Sequence, residues 1–139
     1  DPSADPEAMR EQLLRKLVEE DDIILLNARW LFDLAIVDNH DVTTKVRNDI
    51  AVDTLSVDVT VDLTHAHMGD LDIWMSHAGV DYPLHQRTTL DSTELRRTYR
   101  ISPTPRDSRG DWVLHVFDRA ERDVGTLHRW TLDITGVLQ

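Results

Sequence analysis

The stretch that decides the fold is LSVDVTVDLTH, residues 55–65. Its apolar residues occupy every second position from Leu55 to Leu63, and Ser, Asp and Thr stand between them. Since consecutive side chains of a β-strand point to opposite faces, this alternation predicts an antiparallel strand with one face on the core. The opposite, polar face then meets solvent.

The period of two continues along the rest of the chain. It recurs in DLDIWM (70–75) and WTLDITG (130–136), and more weakly in STELRRTYRI (92–101). DWVLHVFD, residues 111–118, is apolar in both phases, which predicts a strand covered on both faces. Gly and Pro turn signals separate these segments. Short alternating strands with turns roughly every 8–12 residues indicate an all-β antiparallel sandwich or barrel.

The first residues follow a different period. Met9, Leu13 and Leu17 recur every four positions, which predicts an amphipathic helix that ends near the acidic run EEDD. We therefore expect an N-terminal helical linker or arm over residues 1–30 and a β domain over residues 31–139. The apolar stripe of this helix predicts docking or self-association.

Composition narrows the function classes. The chain has 139 residues, a formal net charge of −11 and no cysteine. The negative charge argues against nucleic acid and anionic membranes as partners. No run approaches the roughly 18 apolar residues that would cross a bilayer. Disulfides, thiolate catalysis and cysteine-based zinc sites are excluded.

HAHMGDLDIW, residues 65–74, places two histidines and two aspartates within eight positions. His65 and His67 would share one face of a strand and could both bind a zinc ion. Alternatively, both continue the inward phase of the preceding strand, and are core or corner histidines. We favour the second interpretation, because a zinc site also needs a third ligand.

A Ser–His–Asp triad has little support from the sequence. The Gly-x-Ser-x-Gly elbow that presents a nucleophilic serine is missing.

Three aspartates on short connections are candidate calcium ligands: Asp70, Asp118 and Asp123. Carboxylates are hard oxygen ligands that suit calcium, although their spacing is not that of an EF-hand. The sequence therefore predicts calcium as the metal, if one binds.

Three tryptophans lie on predicted strands. Trp112 and Trp130 are in phase with apolar neighbours, which predicts core packing. Trp74 is out of phase with Leu71 and Ile73, so we expect it to be exposed as a platform for a sugar, or to be covered by the N-terminal helix.

The order of these motifs resembles a known family. Thr64-His65 is followed by Gly69-Asp70-Leu71 and the SHAGV turn, then by Gly110-Asp111-Trp112 with VLHVFD, and finally by GTLHRW, residues 125–130. This order resembles the P domain (homo B domain) of proprotein convertases such as kexin and furin, and of bacterial subtilisin-like proteases, over roughly residues 31–137. His67 departs from the pattern, since an aromatic residue is usual there, and the middle segment, residues 81–105, is diverged.

The resemblance implies a jelly-roll-like β-sandwich and a non-catalytic role. Such a module follows a subtilisin-type serine protease domain in a secreted protein and stabilises or regulates it by domain–domain contact, with bound calcium in some members. The alternative is a free-standing β-sandwich binding module for a carbohydrate or a protein ligand. An independent metal-dependent enzyme is the least favoured hypothesis.

Overall fold

The computed structural model describes residues 23–86, 92–119 and 124–139. The described residues form one short 3-10 helix, Met68–Asp70, and nine strands: β1 (Ile23–Trp30), β2 (Leu34–Ile36), β3 (Asp41–Asn48), β4 (Val52–His65), β5 (Leu71–His77), β6 (Val80–His85), β7 (Glu94–Arg100), β8 (Gly110–Asp118) and β9 (Gly125–Leu138). The N-terminal helix expected before residue 23 lies outside the described residues. Among the residues described, no helix is long and apolar enough to cross a membrane.

The strands form two antiparallel sheets. Sheet A has the order β1-β9-β4-β7, with β2 also paired to β9, and sheet B has the order β3-β8-β5-β6. Buried side chains from both sheets form one hydrophobic cluster between them. The predicted all-β antiparallel sandwich is therefore confirmed.

The alternation read from the sequence is confirmed in three strands. The inward residues of β4, β5 and β9 have almost no exposed surface: Val57, Val59, Val61, Leu63, Leu71, Ile73, Met75, Trp130, Leu132 and Ile134. Leu55 is an exception, because the pairing of β4 with β9 shifts between Thr54 and Ser56. This bulge leaves Leu55 half-buried and turns Ser56 inward.

The two core tryptophans are satisfied by buried polar partners. Trp130 Nε1 donates to Thr44 Oγ1 at 2.6 Å, and Trp112 Nε1 donates to the Ser108 carbonyl oxygen at 3.0 Å. Both rings are fully buried, as predicted. Each indole N–H thus keeps a hydrogen bond that it would otherwise lose on burial.

Strand β8 differs from the prediction that both of its faces are covered. Its inward residues Trp112, Leu114 and Val116 are buried, but His115 and Phe117 on the other face are only half-buried. The strand is therefore not covered on both faces. Its second apolar phase belongs to the outer face of sheet B.

Residues 23–30 also differ from their prediction. The sequence predicts that they belong to the helical linker or arm, but they form β1, which pairs with β9 from Ile23↔Val137 to Trp30↔Trp130. Ile24, Leu26, Ala28 and Trp30 pack against the core. Because IILL is apolar in both phases, its period of two is weak in the sequence, and pairing with β9 decides its structure.

Candidate functional site

The HAHMGDLDIW stretch forms a corner at one end of the sandwich. β4 ends at His65, the 3-10 helix follows, and β5 begins at Leu71. Leu71 pairs with Asp118 at the end of β8, and the Arg119 N–H donates to the Asp70 carbonyl oxygen at 3.0 Å. The corner therefore brings His65, Asp70 and Asp118 together from distant parts of the chain.

A buried hydrogen bond between a histidine and an aspartate connects the two sheets at this corner. His65 Nε2 lies 2.8 Å from Asp118 Oδ2, and neither side chain has exposed surface. His65 belongs to sheet A and Asp118 to sheet B, so the pair crosses the core. When Asp118 is ionised it can only accept, and the proton of this hydrogen bond is then on His65 Nε2.

The second ring nitrogen of His65 is also engaged. His65 Nδ1 lies 3.0 Å from the His67 N–H and 2.9 Å from the His67 carbonyl oxygen. A neutral imidazole accepts from that N–H, whereas an imidazolium donates to that oxygen. Either way both nitrogens serve the corner, which argues against zinc at His65.

His67 does not share the face of His65. Its side chain is exposed, because β4 ends at His65 and the chain turns into the 3-10 helix. The interpretation of His65 as a corner histidine is confirmed, and the expectation that His67 also points inward is wrong.

Gly125, the first residue of β9, lies too close to the corner for a side chain. Gly125 pairs with His65, and a Cβ at this position would lie 2.6 Å from His65 Cδ2 and 2.6 Å from the Thr64 carbonyl oxygen. No larger residue fits without moving the backbone or the histidine ring. The close approach of β9 to the corner therefore depends on glycine.

The structure brings two of the three predicted calcium ligands to this corner. Asp70 is half-buried, whereas the Asp118 carboxylate points inward to His65, and Asp123 lies outside the described residues. Calcium takes 6–8 oxygen ligands. Within the described ranges no group of three or more His, Asp or Glu side chains could hold a metal ion. Calcium binding by these aspartates therefore stays a prediction.

A second polar cluster lies on the outer face of sheet B. His115 Nδ1 lies 3.0 Å from Asp41 Oδ2, and its Nε2 lies 2.9 Å from Ser76 Oγ. Ser76 Oγ in turn donates to Asp81 Oδ1 at 2.6 Å. Sequence analysis missed this cluster, because its members come from four different strands.

The order Asp41–His115–Ser76 is that of a hydrolytic triad, but the setting differs. Ser76 lies inside β5, paired on one side with β6 and on the other with β8, and not on a strand-to-helix elbow. Its hydroxyl donates to Asp81, and His115 lies under a tryptophan ring. The cluster therefore fixes the imidazole in place on the sheet.

Trp74 stacks on that imidazole. The ring centroids of Trp74 and His115 are 4.7 Å apart and the planes differ by 6°, as their direct pairing across β5 and β8 allows. Trp74 lies on the outer face, as its phase predicts, and it is half-buried. The indole is thus held by a ring that is itself hydrogen-bonded on both nitrogens.

A groove runs beside Trp74. It has a volume of about 520 Å³ and is lined by Asp72, Ile73, Trp74, Asp81, Pro83, His85, Gln86 and Arg119. Arg119 pairs with Asp72 and also lies over the Phe117 ring, 5.1 Å from its centroid. Aromatic, carboxylate and amide groups therefore meet at one surface.

The chain is similar in sequence to parts of longer proteases. A family model described as the proprotein convertase P-domain matches residues 54–134. Two relatives named calcium-dependent protease, from a Nostoc species and from Trichormus variabilis, are 29% and 30% identical over 90 residues. That match covers 57% of this chain but only 14% of each relative.

Solved structures share the fold. The serine protease of Aeromonas sobria in complex with a chaperone aligns with a TM-score of 0.70 at 19% identity, over 84% of this chain and 27% of the protease. The same protease alone gives 0.68, over 82% of this chain and 27% of the protease. Since the family model covers more than half of the residues, this chain belongs to the proprotein convertase P-domain family.

Proposed function

We propose that this chain is a non-catalytic accessory domain of a secreted subtilisin-like serine protease, and that it stabilises or regulates the neighbouring catalytic domain by direct contact. The observation that carries this proposal is the P-domain match over residues 54–134. The small share of each protease relative that the chain spans supports a role as one domain of a larger protein.

Two finer features of the domain are also proposals. The strand order of the two sheets supports a jelly roll. We propose residues 1–22 as the linker or self-associating arm.

The surface that we propose for this contact follows β2 along the edge of sheet A, with the exposed apolar residues Leu31 and Phe32 before β2, and Val37 and Val124 next to the corner. Phe32 is 74% exposed and Val124 is 77% exposed. The pairing of Ile36 with Gly125 makes Val37 and Val124 neighbours. Exposed apolar residues on neighbouring segments of one surface are typical of docking sites.

Phe32 is held in position for such a contact. The ring of Trp30 meets it edge-on at 5.9 Å between centroids, and Trp30 Nε1 donates to the Phe32 carbonyl oxygen at 2.9 Å. The exposed ring thus loses little conformational freedom on docking.

The test uses the full-length protease that contains this chain. Phe32→Asp is expected to shorten the half-life of proteolytic activity at elevated temperature at least several-fold, because it puts a charge into the contact. Val80→Asp is the matched control, since Val80 is exposed at the opposite end, after the β5–β6 turn. Equal half-lives for the two variants would contradict the proposed surface.

We further propose that the domain itself does not hydrolyse substrates. Its Ser76 is expected not to react with a fluorophosphonate probe, measured by mass spectrometry on the full chain. Labelling that is lost in Ser76→Ala would refute this proposal and make the outer cluster a nucleophilic site.

Calcium binding at the corner is a separate proposal, with Asp70, Asp118 and Asp123 as ligands. The names of the calcium-dependent relatives support it. A ligand that binds only the folded state must raise the melting temperature. We expect a higher Tm in millimolar calcium than in chelator, with the difference lost in Asp70→Asn and Asp123→Asn. Identical Tm values in the two buffers would end the proposal.

A further inference from the structure

We propose that the groove beside Trp74, on the outer face of sheet B, binds neutral oligosaccharides, with the Trp74 indole as the stacking platform. The proposal does not depend on the accessory role, because the groove shares no residue with the surface that we propose for the protease contact, although Arg119 and Asp72 place one end of the groove next to the corner.

The first step is the preorganisation of Trp74. Its ring is parallel to His115 at 4.7 Å, and His115 is fixed by Asp41 and Ser76. A sugar ring has an apolar face of C–H groups that packs against an aromatic face. Since the indole is already ordered, stacking on it carries a small entropic cost.

The second step is the polar rim. Asp81 is oriented by the Ser76 hydroxyl, and the carboxylate of Asp72 by Arg119. Gln86 lines the same groove and offers both a donor and an acceptor. Hydroxyl groups around a pyranose can donate to the carboxylates and accept from the amide, which is the polar complement that such pockets use for orientation.

The third step is the sign of the charge. Two carboxylates and one paired guanidinium line the groove, on a chain with a net charge of −11. The negative electrostatic potential of these charges disfavours the binding of uronic and sulfated sugars, which are anionic. The groove therefore selects neutral oligosaccharides over anionic ones.

The test is titration calorimetry of the full 139-residue chain with cellotetraose, xylotetraose, laminaritetraose and chitotetraose, and with a heparin-derived tetrasaccharide as the anionic comparator. We expect at least one neutral tetrasaccharide to bind and the anionic one not to bind. Trp74→Ala should weaken binding at least tenfold, Trp74→Phe less, and Asp81→Asn by several-fold. Lys45→Ala is the control, because Lys45 is on β3 of the same sheet outside the groove lining.

Two measurements keep the test decisive. Near-ultraviolet circular dichroism of each variant checks folding, and backbone NMR shifts of the unmodified chain map where the sugar binds. Shifts centred on Trp74 and Asp81 support the proposal. Binding by none of the neutral sugars, shifts elsewhere, or tighter binding of the heparin fragment would overturn it. None of these outcomes bears on the accessory role, which is tested in the full-length protease.

Discussion

Two His–Asp pairs in this molecule use the same chemistry in opposite environments. His65 and Asp118 connect the two sheets through the core at 2.8 Å, with 0% of either side chain exposed. His115 and Asp41 connect β8 to β3 on the outer face at 3.0 Å, with 17% and 41% exposed. The distances are similar, so burial decides what each pair does.

The buried pair contributes to the stability of the fold, whereas the outer pair positions side chains on the surface. Removing one member of a buried pair leaves an uncompensated polar or charged group in a medium of low polarity. Removing one member of an exposed pair leaves a group that water solvates. Three sets of substitutions at and around these pairs test this difference, in decreasing order of expected effect.

Asp118→Ala or His65→Ala is expected to lower the free energy of unfolding by about 3–5 kcal/mol, because each removes the hydrogen bond that joins two fully buried polar groups across the core. The measurement is chemical denaturation followed by tryptophan fluorescence. The double variant His65→Leu/Asp118→Leu should lose less free energy of unfolding than either single variant, since it removes both polar groups. If the double variant were the least stable of the three, the pair itself and not its burial would be the stabilising feature.

Gly125→Ala is expected to lower the free energy of unfolding by about 1–3 kcal/mol, because its Cβ would overlap His65 and the Thr64 carbonyl oxygen. Thr126→Ala, one residue further along β9, is the control. In a His65→Ala background the effect of Gly125→Ala should shrink, which a double-mutant cycle measures. Strict additivity would mean that the histidine ring does not limit this position.

Asp41→Asn is expected to change the free energy of unfolding by no more than about 1 kcal/mol, since the pair is partly solvated. Denaturation at low and high salt checks this, because screening should reduce even that difference. If Asp41→Asn lowered the free energy of unfolding as much as Asp118→Ala, burial would not be what distinguishes the two pairs.

The faces of β4, β5 and β9 could be predicted because alternation is local. Val57, Leu71 and Trp130 follow it to full burial, and Trp74 follows it to the outer face. β1 could not be predicted, because its apolar residues occupy both phases. The outer face of β8 was misjudged for the same reason.

The polar clusters depended on distances along the chain that no pattern reports. His65 and Asp118 are 53 positions apart, and Asp41 and His115 are 74 apart. The sequence shows that these histidines and aspartates are present, but it does not show the strand register that brings them together. The family resemblance pointed to the corner, while the outer cluster had no sequence signal.

The sequence by itself determined which side of each regular strand faces the core, the all-β class and the family. These properties follow from side-chain periodicity and motif order within short segments. Only the tertiary structure decided that His65 meets Asp118, that β1 completes sheet A and that His115 supports Trp74. Those contacts depend on strand pairing, because β-register is set by long-range hydrogen bonding and by the shape of a shared core.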